Sequence, residues 1–161
     1  MISKALLSTA APLSMALAAG AFVSMQAAAN SSLARHLGHP LWAAAVSLLV
    51  STAVVAAAVA AMKIPLPAAR LVSTGPWWLW IGGIAGVVYL GSAVTLPSKI
   101  GTGAFILWVI AGQMLASIVI DHFGLFGMAT RPVSIARVAG ALTVVAGLVI
   151  SQLGPSAQPQ A

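Results

Sequence analysis

Acids and cysteines are what this chain lacks. Asp121 is the single acidic residue among 161, there is no cysteine, and only 5% of the residues are charged. Without cysteine there is no disulfide, no thiolate chemistry and no Cys-based metal site. His36, His39 and His122 have no second acid to join them, so no metal site is expected. Asp121 stands beside His122, but no serine sits in the strained turn that a nucleophile requires. A glycine-rich phosphate-binding fingerprint is also missing, which removes ATP-driven chemistry by this chain. The expectation is a protein that is not an enzyme and holds no cofactor. A soluble domain carries about 25% charged residues, so this surface is too poor in charge for an ordinary globular protein in water. The pI near 11.6 does not indicate a nucleic-acid partner, because the seven cations are scattered singly and form no basic stripe.

What fills the chain instead is apolar sequence: 61% hydrophobic residues and a mean hydropathy of +1.08. A membrane-spanning helix needs about 20 mostly apolar residues. Five windows meet that length, at residues 5–29, 41–62, 77–96, 102–120 and 133–153. They are too long for barrel strands and lack the period-2 alternation of a barrel. The fold class is therefore an all-α integral membrane protein of five transmembrane helices in a lipid bilayer, with a polar, disordered tail at 154–161. Leu37-Gly38-His39-Pro40, Lys63-Ile64-Pro65-Leu66-Pro67 and Ser73-Thr74-Gly75-Pro76 punctuate the spans. The link Pro97-Ser98-Lys99-Ile100-Gly101 is so short that the third and fourth helices must be antiparallel neighbours. A second reading of the N-terminus, as a cleaved signal peptide, has Lys4 and Ala27-Ala28-Ala29 in its favour. Its apolar stretch is longer than such peptides use, and Pro12 interrupts it.

Lysine and arginine favour the cytoplasmic side. With the N-terminus inside, Lys4, Lys63, Arg70, Arg131 and Arg137 are cytoplasmic, while Arg35 and Lys99 lie outside. That count of five to two predicts a cytoplasmic N-terminus and an external C-terminus. It leans to one orientation without excluding dual topology. Trp42, Trp77, Trp78 and Trp80 stand at span entrances and read as interfacial anchors, with stacking on a substrate as the alternative.

Polar groups within the spans are costly unless paired. Gln113, Ser117 and Asp121 fall at i, i+4 and i+8 and share one helix face, with Trp108 roughly opposite. Gln26 and Asn30 are one turn apart on the first helix, on a stripe with Pro12, Met15, Ala19 and Phe22. The two stripes are candidates for lining a substrate path; interhelical hydrogen bonding is the structural alternative, and it suits Ser117 better. Asp121 is read as a structural partner of Arg131 or Arg137, or as a lock on the following turn, with ion coupling as the other reading. Small residues recur at packing spacing: Gly82 with Gly86, Ala136 with Gly140, and Thr143 with Gly147. Pro12 removes a helical hydrogen bond and is a candidate kink.

These residues combine into larger patterns. Gln26-x-x-x-Asn30, Pro76-Trp77-Trp78-x-Trp80-Ile81-Gly82-Gly83 and Gly112-Gln113-x-x-x-Ser117-x-x-x-Asp121-His122-Phe123-Gly124-Leu125-Phe126-Gly127 resemble the YdcZ-like family. Arg131-Pro132 and Arg137-x-x-Gly140 continue the resemblance, which covers roughly residues 12 to 152. These are bacterial inner-membrane exporters of the drug/metabolite transporter superfamily. The resemblance implies half of a ten-helix inverted-repeat fold. Such a half functions as a homodimer, or as a heterodimer with a related half. It also implies secondary transport of a small molecule that it does not identify. The related small multidrug resistance proteins use a carboxylate in their first helix, where this chain has Gln26, so the resemblance does not extend to proton-coupled drug export by that route. The rival class is a non-transporting membrane scaffold or assembly subunit.

Overall fold

The computed structural model describes residues 2–68, 70 and 74–153, and for residues 2–9 the backbone alone. The expected tail at 154–161 lies outside the described residues. Helix α1, Ile2–Leu37, runs 36 residues without a break through Pro12. It ends only at Gly38, whose φ of 78° belongs to the left-handed region that glycine enters without steric cost. The helix thus outlasts the apolar window by eight residues, because Asn30 to Leu37 are polar in part but contain no breaker. Two residues later α2, Pro40–Ala61, begins with proline in its first turn. His39 caps it: the Leu41 N–H donates to the His39 Nδ1 at 3.2 Å.

The third span opens on Pro76, whose extended backbone leads into a 3-10 turn at Trp77–Trp80. Helix α3, Ile81–Thr95, follows, and the short α4, Pro97–Ile100, completes the span with Leu96 still helical between them. Gly101, with φ 85°, turns the chain directly into α5, Thr102–Phe123. A 3-10 turn at Leu125–Gly127 leads towards α6, Ile135–Gln152, whose cap Ser134 accepts from the Arg137 N–H at 3.3 Å. Five helical segments, Ala10–Leu37, Pro40–Ala61, Trp77–Ile100, Thr102–Phe123 and Ile135–Gln152, are long and apolar enough to cross a membrane.

Small residues bring these helices together. Ala34 of α1, Ala43 and Ala44 of α2, and Leu90 and Val94 of α3 form one buried cluster. Ala27 of α1, Ala93 of α3 and Phe105 of α5 form a second, flanked by Tyr89, Ile106 and Val109. The Tyr89 and Phe105 rings lie 6.4 Å apart, so the third and fourth spans are neighbours, as the one-residue break at Gly101 requires. Helix α6 packs chiefly on α5. Its Gly140 faces Met114 there, and a Cβ added to Gly140 would stand 3.5 Å from the Met114 Cε. Gly82, Gly86 and Gly147, by contrast, have open space around the same position.

The alanine contacts set a stability prediction. Ala43 and Ala93 are fully buried, so leucine at either position would force neighbouring helices apart at a cost of about 1–3 kcal/mol. Ala58→Leu, at an exposed α2 position, should be neutral. Denaturant titration followed by far-ultraviolet circular dichroism would separate the three variants.

Candidate functional site

On α5, the one-turn repeat that aligns Gln113, Ser117 and Asp121 survives intact, because no breaker lies between Thr102 and Phe123. The three residues have different surroundings. Gln113, twelfth of the 22 residues in the helix, is exposed on the surface of the single chain. Ser117 is also exposed, and its hydroxyl donates back to the Met114 carbonyl at 2.9 Å. That local bond satisfies the serine within its own helix. Asp121, half-buried at the end of the helix, accepts from the Arg137 Nη2 at 2.6 Å.

Of the two partners open to Asp121, then, the side chain meets Arg137. Arg131 contributes differently, its backbone N–H donating to the Asp121 carbonyl at 2.7 Å. Asp121 therefore ties two later parts of the chain to the end of α5: α6 through its side chain and the connecting segment through its main chain. Gly124 makes this turn possible. Its φ is 59°, and a Cβ there would lie 2.7 Å from the Thr130 hydroxyl oxygen and 3.0 Å from the Met128 carbonyl oxygen. Phe126, with φ 57°, and Gly127, with φ 76°, share the left-handed backbone, so three of the four residues from Gly124 to Gly127 turn against the usual hand. For Phe126 that conformation is a strained one.

On α1 the stripe is split as well. Gln26 is exposed near the middle of the first span, whereas Asn30 is 6% exposed. The Asn30 amide nitrogen is buried without a hydrogen-bond partner. Buried amides normally find partners, which makes Asn30 the least satisfied polar group described. Trp42, Trp77, Trp78 and Trp80 all lie on the outer surface. No group of three or more His, Cys, Asp or Glu side chains able to hold a metal occurs among the described residues.

A cavity of about 430 Å³ opens elsewhere, at the end of the bundle where α1 stops and α2 starts. Gln26, Asn30, Gln113 and Ser117 are not part of its lining; Arg35 and Lys99 are. In the sequence these two cations bear only on orientation. The charge count already placed both on one side of the membrane, which is the signal that could have joined them.

A family model described as "Putative inner membrane exporter, YdcZ" matches residues 11–150. The chain belongs to the YdcZ family. No curated protein and no solved structure matches it. As a YdcZ family member with five membrane-spanning helices, it is a multi-pass protein of the inner membrane, of an exporter family. The residues of the Trp-rich entry and of the Gly112–Gly127 stretch fall within the matched region.

The turn gives a graded prediction. Gly127→Ala has only the left-handed backbone against it, roughly 1–2 kcal/mol, because nothing lies within 4 Å of its added Cβ. Gly124→Ala adds the collision with Thr130 and Met128 and should be clearly less stable than Gly127→Ala. Melting curves of the two purified variants would test the order.

Proposed function

We propose that the chain is one half of a small-molecule secondary exporter and works as a dimer, with itself or with a related five-helix half. The observation that carries this reading is Gln113. A primary amide at the centre of a span, exposed on the single chain, finds no hydrogen-bonding partner in hydrocarbon and costs several kcal/mol there by the order of magnitude for unpaired polar groups. Gln26 presents the same problem on the first span. A second five-helix unit seated against these faces would replace lipid by polypeptide or by a water-lined passage. The row of Gly82 and Gly86, open to approach, suits close contact with another backbone. Membership of an exporter family supports transport over a scaffold role.

In this reading Gln26, Asn30, Gln113 and Ser117 line the path, and their neutral amide and hydroxyl groups recognise a solute by hydrogen bonding rather than by charge. Asp121 and Arg137 hold α6 on α5, so that the fourth and fifth spans move together. The N-terminus faces the cytoplasm, which puts the Asp121–Arg137 end of α5 on the cytoplasmic side and the end near Lys99 outside. Trp42, Trp77, Trp78 and Trp80 anchor the second and third spans at the interfaces.

Because the chain has no cysteine, Gly82→Cys and Gly86→Cys each provide a single thiol in an otherwise inert background. Crosslinking of membranes should give a covalent dimer from at least one of them, and a strict monomer would sink the dimeric reading. Transport is tested in proteoliposomes with a panel of small solutes. Wild type should move at least one of them, and Gln113→Ala should lower that flux at least tenfold with unchanged helix content. Equal flux from both proteins would remove Gln113 from the path.

A further inference from the structure

Arg35 and Lys99 line one cavity, and no acidic side chain faces them. The cavity opens where α1 ends, α2 begins and α4 closes the third span, and Ser31, Arg35, Pro40, Thr95, Ser98 and Lys99 contribute to its wall. It is an open recess and not an enclosed pocket, and its volume of about 430 Å³ is enough for a small polar group. The only acidic side chain in the chain is Asp121, which is held by Arg137. It stands nineteen residues beyond Thr102 along α5, about 28 Å of helix rise from the Lys99 end. Two cations facing one recess without a counter-charge raise its positive potential and attract an anion. The N-terminus of the 22-residue α2 at Pro40 adds the positive end of a helix dipole, but the C-terminal ends of α1 and α4 lie at the same recess, so the two side-chain cations and not the helix dipoles set its sign.

The hydrogen-bonding groups sharpen the choice of anion. Arg35 is positioned by its own helix: Nη1 donates to the Ser31 hydroxyl at 3.2 Å and Nη2 to the Ser32 hydroxyl at 2.9 Å. Guanidinium has five N–H donors in a planar fork, so donors remain for a ligand. Ser31 is 4% exposed; it accepts from Arg35 and retains its hydroxyl proton to donate. Lys99 adds three N–H donors on a flexible stem. Thr95 and Ser98 differ, since their hydroxyls donate to the Gly91 and Thr95 carbonyls, each at 2.9 Å. They offer lone pairs, which suit the hydroxyl groups of an organic moiety and not the anion itself. Two cations and several donors match a group with three terminal oxygens and up to two negative charges better than they match a carboxylate.

We propose that this cavity binds a phosphate-bearing molecule, with Arg35 and Lys99 holding the phosphate and Ser31 donating to it. A soluble phosphate monoester offers this wall three terminal oxygens and up to two charges, and the phosphodiester headgroup of an anionic phospholipid offers two oxygens and one charge; both are phosphoryl anions that Arg35 and Lys99 can hold. The site stands whether or not the chain transports anything.

The test uses the full-length protein, delipidated in neutral detergent. In one arm it is titrated calorimetrically with inorganic phosphate and with glycerol phosphate at constant ionic strength, with chloride as the control anion. In the other, phosphatidylglycerol or phosphatidylcholine is added and retention is read by native mass spectrometry. Saturable binding of glycerol phosphate supports the site with a soluble ligand. Preferential retention of phosphatidylglycerol supports it with a lipid ligand. Lys99→Gln, at an exposed position whose loss leaves the Arg35–serine bonds in place, should weaken binding at least tenfold in the responding arm. Arg35→Gln should do the same, and Arg131→Gln should leave binding unchanged. The proposal is overturned if neither arm shows binding, or if the Arg35→Gln, Lys99→Gln protein binds as wild type does. Circular dichroism of each variant keeps loss of fold distinct from loss of the site.

Discussion

Close approach between alanine faces is the contact on which the bundle depends. Lipid tails are as apolar as leucine, so no hydrophobic force draws one spanning helix to another, and association relies on van der Waals packing and interhelical hydrogen bonds. Ala27, Ala34, Ala43, Ala44 and Ala93 supply that packing where α1, α2, α3 and α5 meet. Large apolar side chains such as Leu49, Val54 and Ile84 point outwards instead. This differs from a water-soluble protein: much of the apolar bulk faces the solvent, which here is lipid, while the alanines share the inside with a few large side chains, Leu90, Val94, Phe105 and Leu148. Charges are consequently confined to the helix ends, and the chemically active groups gather there or along narrow polar stripes.

The fifth span is held in another way. Helix α6 packs chiefly on α5, through Gly140 against Met114 and through the Arg137–Asp121 ion pair. The Arg137 side chain is 38% exposed, so solvent screens the pair and its share of stability is modest. Its geometric effect is larger. Asp121 also takes the Arg131 N–H on its main-chain carbonyl, which ties the connecting turn to the end of α5. The left-handed residues Gly124, Phe126 and Gly127 then give that turn its tight path.

Much of this architecture was legible in the sequence, for definite reasons. Five spans follow from hydropathy because the bilayer thickness imposes a length. The contact of the third and fourth spans near Gly101, through Ala93 and Tyr89 against Phe105, follows from the short link between them. The break after α1 was marked by Leu37-Gly38-His39-Pro40, but the apolar window ended eight residues earlier, because hydropathy falls before the helix does and the helix continues until Gly38 releases it. Asp121 stood out as a residue in need of a partner because it is the only acid. Choosing Arg137 over Arg131 required the path of the turn, which depends on backbone angles at Gly124 and Phe126. The spacing of Gly82 and Gly86 gave a packing motif but not its partner, since spacing describes one helix surface and not what lies against it. The cavity was hidden for a similar reason: its cations are 64 positions apart in the sequence, and only the convergence of three helix ends brings them together.

The length of α1 has a bearing on where that cavity lies. Thirty-six residues rise about 54 Å, against a hydrocarbon layer of about 30 Å. Even a tilt of about 40°, the upper end of the usual range, leaves roughly 41 Å along the bilayer normal, so the helix must project into the headgroup layer. Its C-terminal turns carry Ser31, Ser32, Arg35 and His36, the polar portion best suited to that layer. Where the surplus lies at this end, the recess beside them opens among lipid headgroups, and a bound molecule with a charged head and an apolar tail would keep both ends in their preferred surroundings.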